Sequence, residues 1–152
     1  ADWERIKAQE RAAAGRTGMR TLDGVALGLP ALTRAVKLQN RAARVGFDWP
    51  DTAQVLDKVR EEAAELAEAC ETLPHDKQVE EFGDLMFVMA NLARHLNIDP
   101  EAALRAGNAK FERRFRFIED ALSDQGQDPA QSDLATMDAL WDLAKAAERK
   151  SP

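Results

Sequence analysis

Apolar residues along this chain recur at steps of three and four, and alternation with a period of two is nearly absent. That pattern predicts an all-α protein. A short amphipathic helix is expected over residues 2–14, with Trp3 and Ile6 on one face. The stretch from Gly15 to Pro30 contains Gly15, Gly18, Gly24 and Gly28 and reads as a linker or extended arm. A helix follows from about Pro30, a residue suited to a first turn, to Val45, where Gly46-Phe47-Asp48-Trp49-Pro50 stops it. Asp51 or Thr52 can cap the next helix, which runs to about Thr72. The connection Leu73-Pro74-His75-Asp76 is short enough to make its flanking helices antiparallel neighbours. A third long helix covers Asp76 to Leu96, and Asp99-Pro100-Glu101 starts a fourth that reaches about Leu122. After a linker with Gly126 and Pro129, helical periodicity resumes from Leu134 to Lys150. The expected organisation is an N-terminal helix and arm (1–29), a helical core (30–122), and a linker with a C-terminal helix (123–152).

Two neighbouring helices carry acids where water-facing residues are not expected. In the second long helix, Val55, Val59, Leu66, Cys70 and Leu73 mark an apolar stripe. Glu62 lies three after Val59 and four before Leu66, beside that stripe, and Glu65 follows one turn later, so both carboxylates can address one spot. Glu61 adjoins the pair, while Glu68 and Glu71 project further round and read as solvated. In the third helix, Phe82, Leu85, Met86, Met89, Leu92 and Leu96 form a broad apolar sector widened by Val88. Glu81 falls inside it and Asp84 at its edge. A lone ionised carboxylate there costs several kcal/mol unless it is paired or metal-bound. Four converging carboxylates suit magnesium or manganese rather than zinc. Salt bridges to Lys58, Arg60 or Lys77 are the alternative. A di-iron bundle is disfavoured, since neither His75 nor His95 has a glutamate three residues before it.

The fourth helix has an apolar line of Leu104, Phe111, Phe115, Ile118 and Leu122, with Asn108 within it. Lys110 and Arg114 are one turn apart on a neighbouring face, with Arg113 adjacent. Such cations can hold phosphate oxygens or form a solvated basic face. Asn108 reads as a buried amide that needs partners. Trp49 and Trp141 lie in or just after breaks in the pattern, where a ring either stacks on a nucleobase or packs between helices. Phe87 stands almost opposite the apolar sector of its helix, which hints at a dimer or larger bundle.

Charge and composition narrow the classes. With 21 basic and 27 acidic residues, a net charge of −6 argues against coating nucleic acid or an anionic membrane, so neither is expected as a partner. The single cysteine, Cys70, excludes an intramolecular disulfide and fits a reducing, cytoplasmic location. No apolar run approaches the roughly 20 residues of a membrane span.

Glu61-Glu62-Ala63-Ala64-Glu65 followed by Glu80-Glu81-Phe82-Gly83-Asp84 resembles the Glu-x-x-Glu … Glu-x-x-Asp signature of MazG-type nucleoside triphosphate pyrophosphohydrolases. Val45-Gly46-Phe47-Asp48-Trp49-Pro50, Asn91-Leu92-Ala93-Arg94-His95-Leu96 and Asn108-Ala109-Lys110-Phe111-Glu112-Arg113-Arg114-Phe115 are similar to further stretches of bacterial MazG proteins. The likeness is to their C-terminal domain, which implies a missing N-terminal domain; the start at Ala1 rather than a methionine agrees. It implies an all-α fold whose four-helix core forms a homodimer, and hydrolysis of nucleoside triphosphates to monophosphate and pyrophosphate with magnesium. Carried over by position, Glu62, Glu65, Glu81 and Asp84 are the metal ligands, Lys110 and Arg114 the phosphate-side cations, and Trp141 lies near the nucleotide. Glu61 is the candidate for positioning or deprotonating the attacking water. Narrower relatives acting on dUTP, dCTP or phosphoribosyl-ATP are alternatives, as is a non-catalytic helical module that binds nucleotide or protein.

Overall fold

The computed structural model describes the backbone of residues 2–13 and 19–150, with side chains described for 2–10 and 19–150. Ala14, Gly15 and Gly18 of the expected helix end and arm lie outside the described residues. The described residues form six α-helices and one short 3-10 turn, with no strand, as the period of the pattern predicts. They are α1 (Asp2–Ala13), α2 (Ala31–Ala43), α3 (Thr52–Thr72), α4 (His75–His95), α5 (Pro100–Ser123) and α6 (Leu134–Lys150). Residues 1–100 and 101–152 form two compact units.

In the first unit, local signals set the helix ends. The α2 stop is a backbone turn: Phe47 N–H donates to the Ala42 carbonyl at 3.0 Å, and Gly46 takes a φ of +87°, which a side chain would strain. Asp51 then caps α3 by accepting from the Gln54 amide at 2.9 Å. Only Leu73 and Pro74 separate α3 from α4, so the two return side by side, and α2 packs on α4 as well.

The interior of this unit differs from the expected stripes. On α3 the buried line is Val55, Glu62 and Ala69, at steps of seven. Leu66 is half-buried, while Cys70 and Leu73 are exposed. On α4 the buried residues are Val88, Ala90, Asn91 and Ala93, whereas Phe82, Met86, Met89 and Leu96 of the expected sector are exposed. Of the large side chains in the α4 sector, Leu85 and Leu92 are half-buried and the other four are exposed.

In the second unit, Asp133 caps α6 by accepting from the Thr136 amide at 2.7 Å, which holds its carboxyl below the usual range. Ile118 and Leu122 of α5 and Ala144 of α6 are buried. Asn108 is exposed, so the buried amide expected in the α5 apolar line is not found; its neighbour Phe111 is exposed too, and that part of the line meets solvent. Among the described residues, no helix is long and apolar enough to cross a membrane.

Candidate functional site

Three of the four expected acids meet. Glu62 of α3 and Glu81 and Asp84 of α4 each offer a carboxylate oxygen, and these oxygens all lie within 4.8 Å of one another. The two-residue link brings the helices together, and the steps of three and four aim the acids. Burial grades across the trio: Glu62 is 7% exposed, Glu81 is half-buried and Asp84 is exposed. Glu65 stands outside the trio and is exposed. Its carboxyl is held above the usual glutamate range, chiefly by the charge of Glu62, then by lost hydration and the charge of Glu81.

The alternative of structural ion pairs is testable cation by cation. Arg60 pairs with Asp57 at 2.9 Å and Lys77 with Glu80 at 3.0 Å, so neither bonds the trio. Lys58 does: its Nζ lies 3.2 Å from Glu61 and 3.2 Å from Glu62 Oε1. Glu61 then Glu62 hold the Lys58 ammonium above its usual range, so it stays charged at neutral pH. Among the described residues, Lys58 is therefore the cation bonded within the group Glu62, Glu65, Glu81 and Asp84, with Lys77 adding only charge attraction to Glu81. The buried atoms Glu62 Oε2 and Glu81 Oε2 have no hydrogen-bond partner. An orphaned buried carboxylate oxygen is costly, and an all-oxygen, strongly negative donor set is what a hard divalent cation takes. The residues present fit such an ion, with Glu62, Glu81 and Asp84 able to hold it and Glu65 beside them.

The expected phosphate-side cations differ from each other. Lys110 is exposed and has no ion-pair partner among the described residues. Arg114 is not free: its Nη2 donates to Glu148 Oε2 at 2.9 Å and its Nε to the same oxygen at 3.2 Å. Arg113 adds a contact to Glu148 at 3.3 Å. The Arg114 hydrogen bond, ahead of Arg113, holds Glu148 below the usual range. The Arg114 guanidinium also lies 5.1 Å from the Trp141 ring centre, and Phe111 packs on the same indole with centroids 5.7 Å apart. Trp141 thus packs between neighbours within its own unit. Nothing in the sequence pattern marked Glu148, because residues 114 and 148 meet only through the turn between α5 and α6.

Trp49 sits in the turn after α2, partly exposed, beside a network that the spacing did not foretell. Asp48 accepts from Arg94 Nη2, its Oδ1 lies 2.9 Å from His95 Nε2, and Arg94 donates to Asn91 Oδ1 at 2.9 Å. The Arg94 hydrogen bond, outweighing partial burial and helped by His95, holds Asp48 below the usual aspartate range. The turn is thereby fastened to α4 across more than forty residues of chain.

The family description for phosphoribosyl-ATP pyrophosphohydrolase matches residues 29–110. The chain is 44% identical over 150 residues to the nucleoside triphosphate pyrophosphohydrolase of Escherichia coli K12, covering 97% of this chain and 56% of that protein. It is 39% identical over 146 residues to the nucleoside triphosphate pyrophosphohydrolase/pyrophosphatase MazG of Thermotoga maritima, covering 96% and 55%. It is also 43% identical over 152 residues to the Bacillus subtilis protein YabN, of which it covers 30%. The chain spans about half the length of the first two. With the matched segment containing both halves of the carboxylate trio, this chain belongs to the phosphoribosyl-ATP pyrophosphohydrolase family and carries the MazG-type acid signature within it.

Proposed function

We propose that this chain is a magnesium-dependent nucleoside triphosphate pyrophosphohydrolase, acting as a homodimer in the cytoplasm, with residues 30–122 as its catalytic core. The observation that carries the reading is the trio Glu62, Glu81 and Asp84, with its two orphaned buried oxygens. The names of the relatives support the reaction class. The uncovered apolar residues Phe82, Met86 and Met89 on α4 support a second copy.

In the proposed reaction, water adds to phosphorus at the α–β linkage and the P–O bond to the bridging oxygen breaks. Nucleoside monophosphate and pyrophosphate leave. Glu62, Glu65, Glu81 and Asp84 would hold the cation, magnesium or manganese, which when bound supplies positive charge to the phosphate oxygens and acidity to the attacking water. Lys58 bonds Glu62 through Oε1 alone, which orients the carboxylate and leaves Oε2 free to ligate. Glu61, exposed beside Lys58, is the candidate to orient or deprotonate the water. Lys110 and Arg114 would receive charge on the departing pyrophosphate, Arg114 after releasing Glu148. Trp49, Trp141 and Asn108 are the remaining proposed substrate contacts.

The description of the matching family favours one narrower reading, phosphoribosyl-ATP as substrate. Product analysis decides. The protein is incubated with the eight common NTPs and dNTPs and with phosphoribosyl-ATP, in magnesium or in EDTA. Monophosphate plus pyrophosphate, seen only with magnesium, is expected. Turnover of phosphoribosyl-ATP alone would move the assignment to the narrower enzyme. Diphosphate plus phosphate would mean a different bond is cut, and no product would favour a binding module.

A further inference from the structure

A cavity of about 270 Å³ lies between α2, the turn after it and α4, all within the first unit. Its walls include Phe47, Trp49, Phe87 and Val88, with the amide residues Gln39 and Asn91. The three rings are uncovered at 78%, 36% and 47% exposure respectively. Three exposed aromatic rings round one hollow are unusual on a protein surface and mark a binding surface. The hollow is at the small end for ligand sites, which suits one flat heterocycle better than a whole nucleotide.

Its position supplies the identity of the occupant. Glu81, Asp84, Val88 and Asn91 follow one another on α4 at steps of three, four and three, so they lie along one face. The first two belong to the carboxylate trio and the last two to the cavity wall. From Asp84 to Asn91 the axial rise is about 10 Å, the scale on which a sugar separates a base from its phosphates. The wall is not purely apolar. Gln39, 7% exposed, donates from Nε2 to the Phe87 carbonyl at 2.9 Å, which fixes its amide and leaves the buried Oε1 without a hydrogen-bond partner. The Asp48–Arg94–His95 network holds the turn that carries Phe47 and Trp49 against α4.

We infer that this cavity is the base subsite of a nucleoside triphosphate whose phosphates sit at the carboxylate trio, with Phe47 and Phe87 as specificity-determining walls. The inference rests on the proposed function, and its test separates the two. Phe87→Ala and Ala42→Leu, the second narrowing the cavity from its α2 side, are compared with wild type on nucleoside triphosphates and on inorganic tripolyphosphate. Both variants raise KM for the nucleoside triphosphates about 10-fold, the worth of one base–aromatic stack, and leave tripolyphosphate hydrolysis unchanged. Because Phe87 is half exposed and Ala42 lies at the cavity, the two changes reach the same prediction from loss and gain of volume. Unchanged KM in both overturns the subsite. So does an altered sedimentation with unaltered nucleotide kinetics, which assigns the hollow to a second copy. If wild type turns over neither substrate, the proposed reaction fails, and the cavity is judged by titrating adenosine, guanosine, cytidine and uridine without metal. Saturable quenching of tryptophan emission that Phe87→Ala weakens supports the subsite, and no saturation by any of the four overturns it.

Discussion

The two units each hold a cluster of charge, and they handle it differently. In the second, Arg113 and Arg114 converge on Glu148, and the Arg114 guanidinium also lies over Trp141. Every member has a partner, and the Glu148 carboxyl sits below its usual range because its charge is welcome. In the first, Glu62, Glu81 and Asp84 converge, Lys58 bonds Glu62 alone of the three among the described residues, and Glu65 beside them sits above its usual range because one more negative charge is unwelcome. Closed ion pairs describe a resting arrangement that needs nothing further. An acid cluster with orphaned buried oxygens is what a hard cation would complete, and that imbalance supports the proposed site.

The sharpest break in the comparison is Glu81→Gln, which removes a charge from the incomplete cluster and keeps its shape. Turnover should fall by at least about 100-fold with the circular dichroism spectrum unchanged. Retained activity would take Glu81 out of the site. Next in size is Lys110→Ala: kcat/KM for nucleoside triphosphates should drop about 10-fold while magnesium affinity holds, the worth of one charge-assisted hydrogen bond. Equal losses of metal and substrate binding would make Lys110 structural. Lys58→Met removes the cation nearest the trio. Its metal-free melting temperature should fall by about 2–4 °C, and saturating magnesium should close the gap to wild type.

The smallest effect concerns acid. Asp48 titrates below its unfolded value, so its bonds to Arg94 and His95 add stability above about pH 4 and lose it as pH falls through the folded value. The stability gap between wild type and Asp48→Asn, open at pH 7, should therefore close below pH 4 in denaturant titrations. A gap that persists there would mean the aspartate acts by packing.

Much of this was legible in the chain. The periodicity and the cap at Asp51 are local features, and the helices they predict are present, whereas the cap at Asp133 was read only as the end of a linker. The meeting of Glu62, Glu81 and Asp84 was legible for the same reason, since steps of three and four on two helices joined by two residues leave little freedom for where they point, though Glu65 of the first expected pair stands outside the trio. What escaped was set by distance in sequence or by missing neighbours. Asp48 meets Arg94 and His95, and Arg114 meets Glu148, across gaps that no spacing rule spans. Glu62 was expected beside the apolar stripe and proves to be in the buried line itself, seven residues from Val55 and seven from Ala69. The expectation that Phe82, Met86 and Met89 were core confused apolar character with coverage; all three are exposed among the described residues.

The central claim is that the unmatched carboxylates of α3 and α4 form a divalent-cation site, and manganese binding measured by paramagnetic resonance tests it most directly. Wild type should remove free Mn2+ signal saturably, magnesium should compete, and Glu81→Gln should weaken binding at least about tenfold, consistent with loss of a charged ligand. Equal manganese binding by wild type and Glu81→Gln, or none by either, would contradict the account.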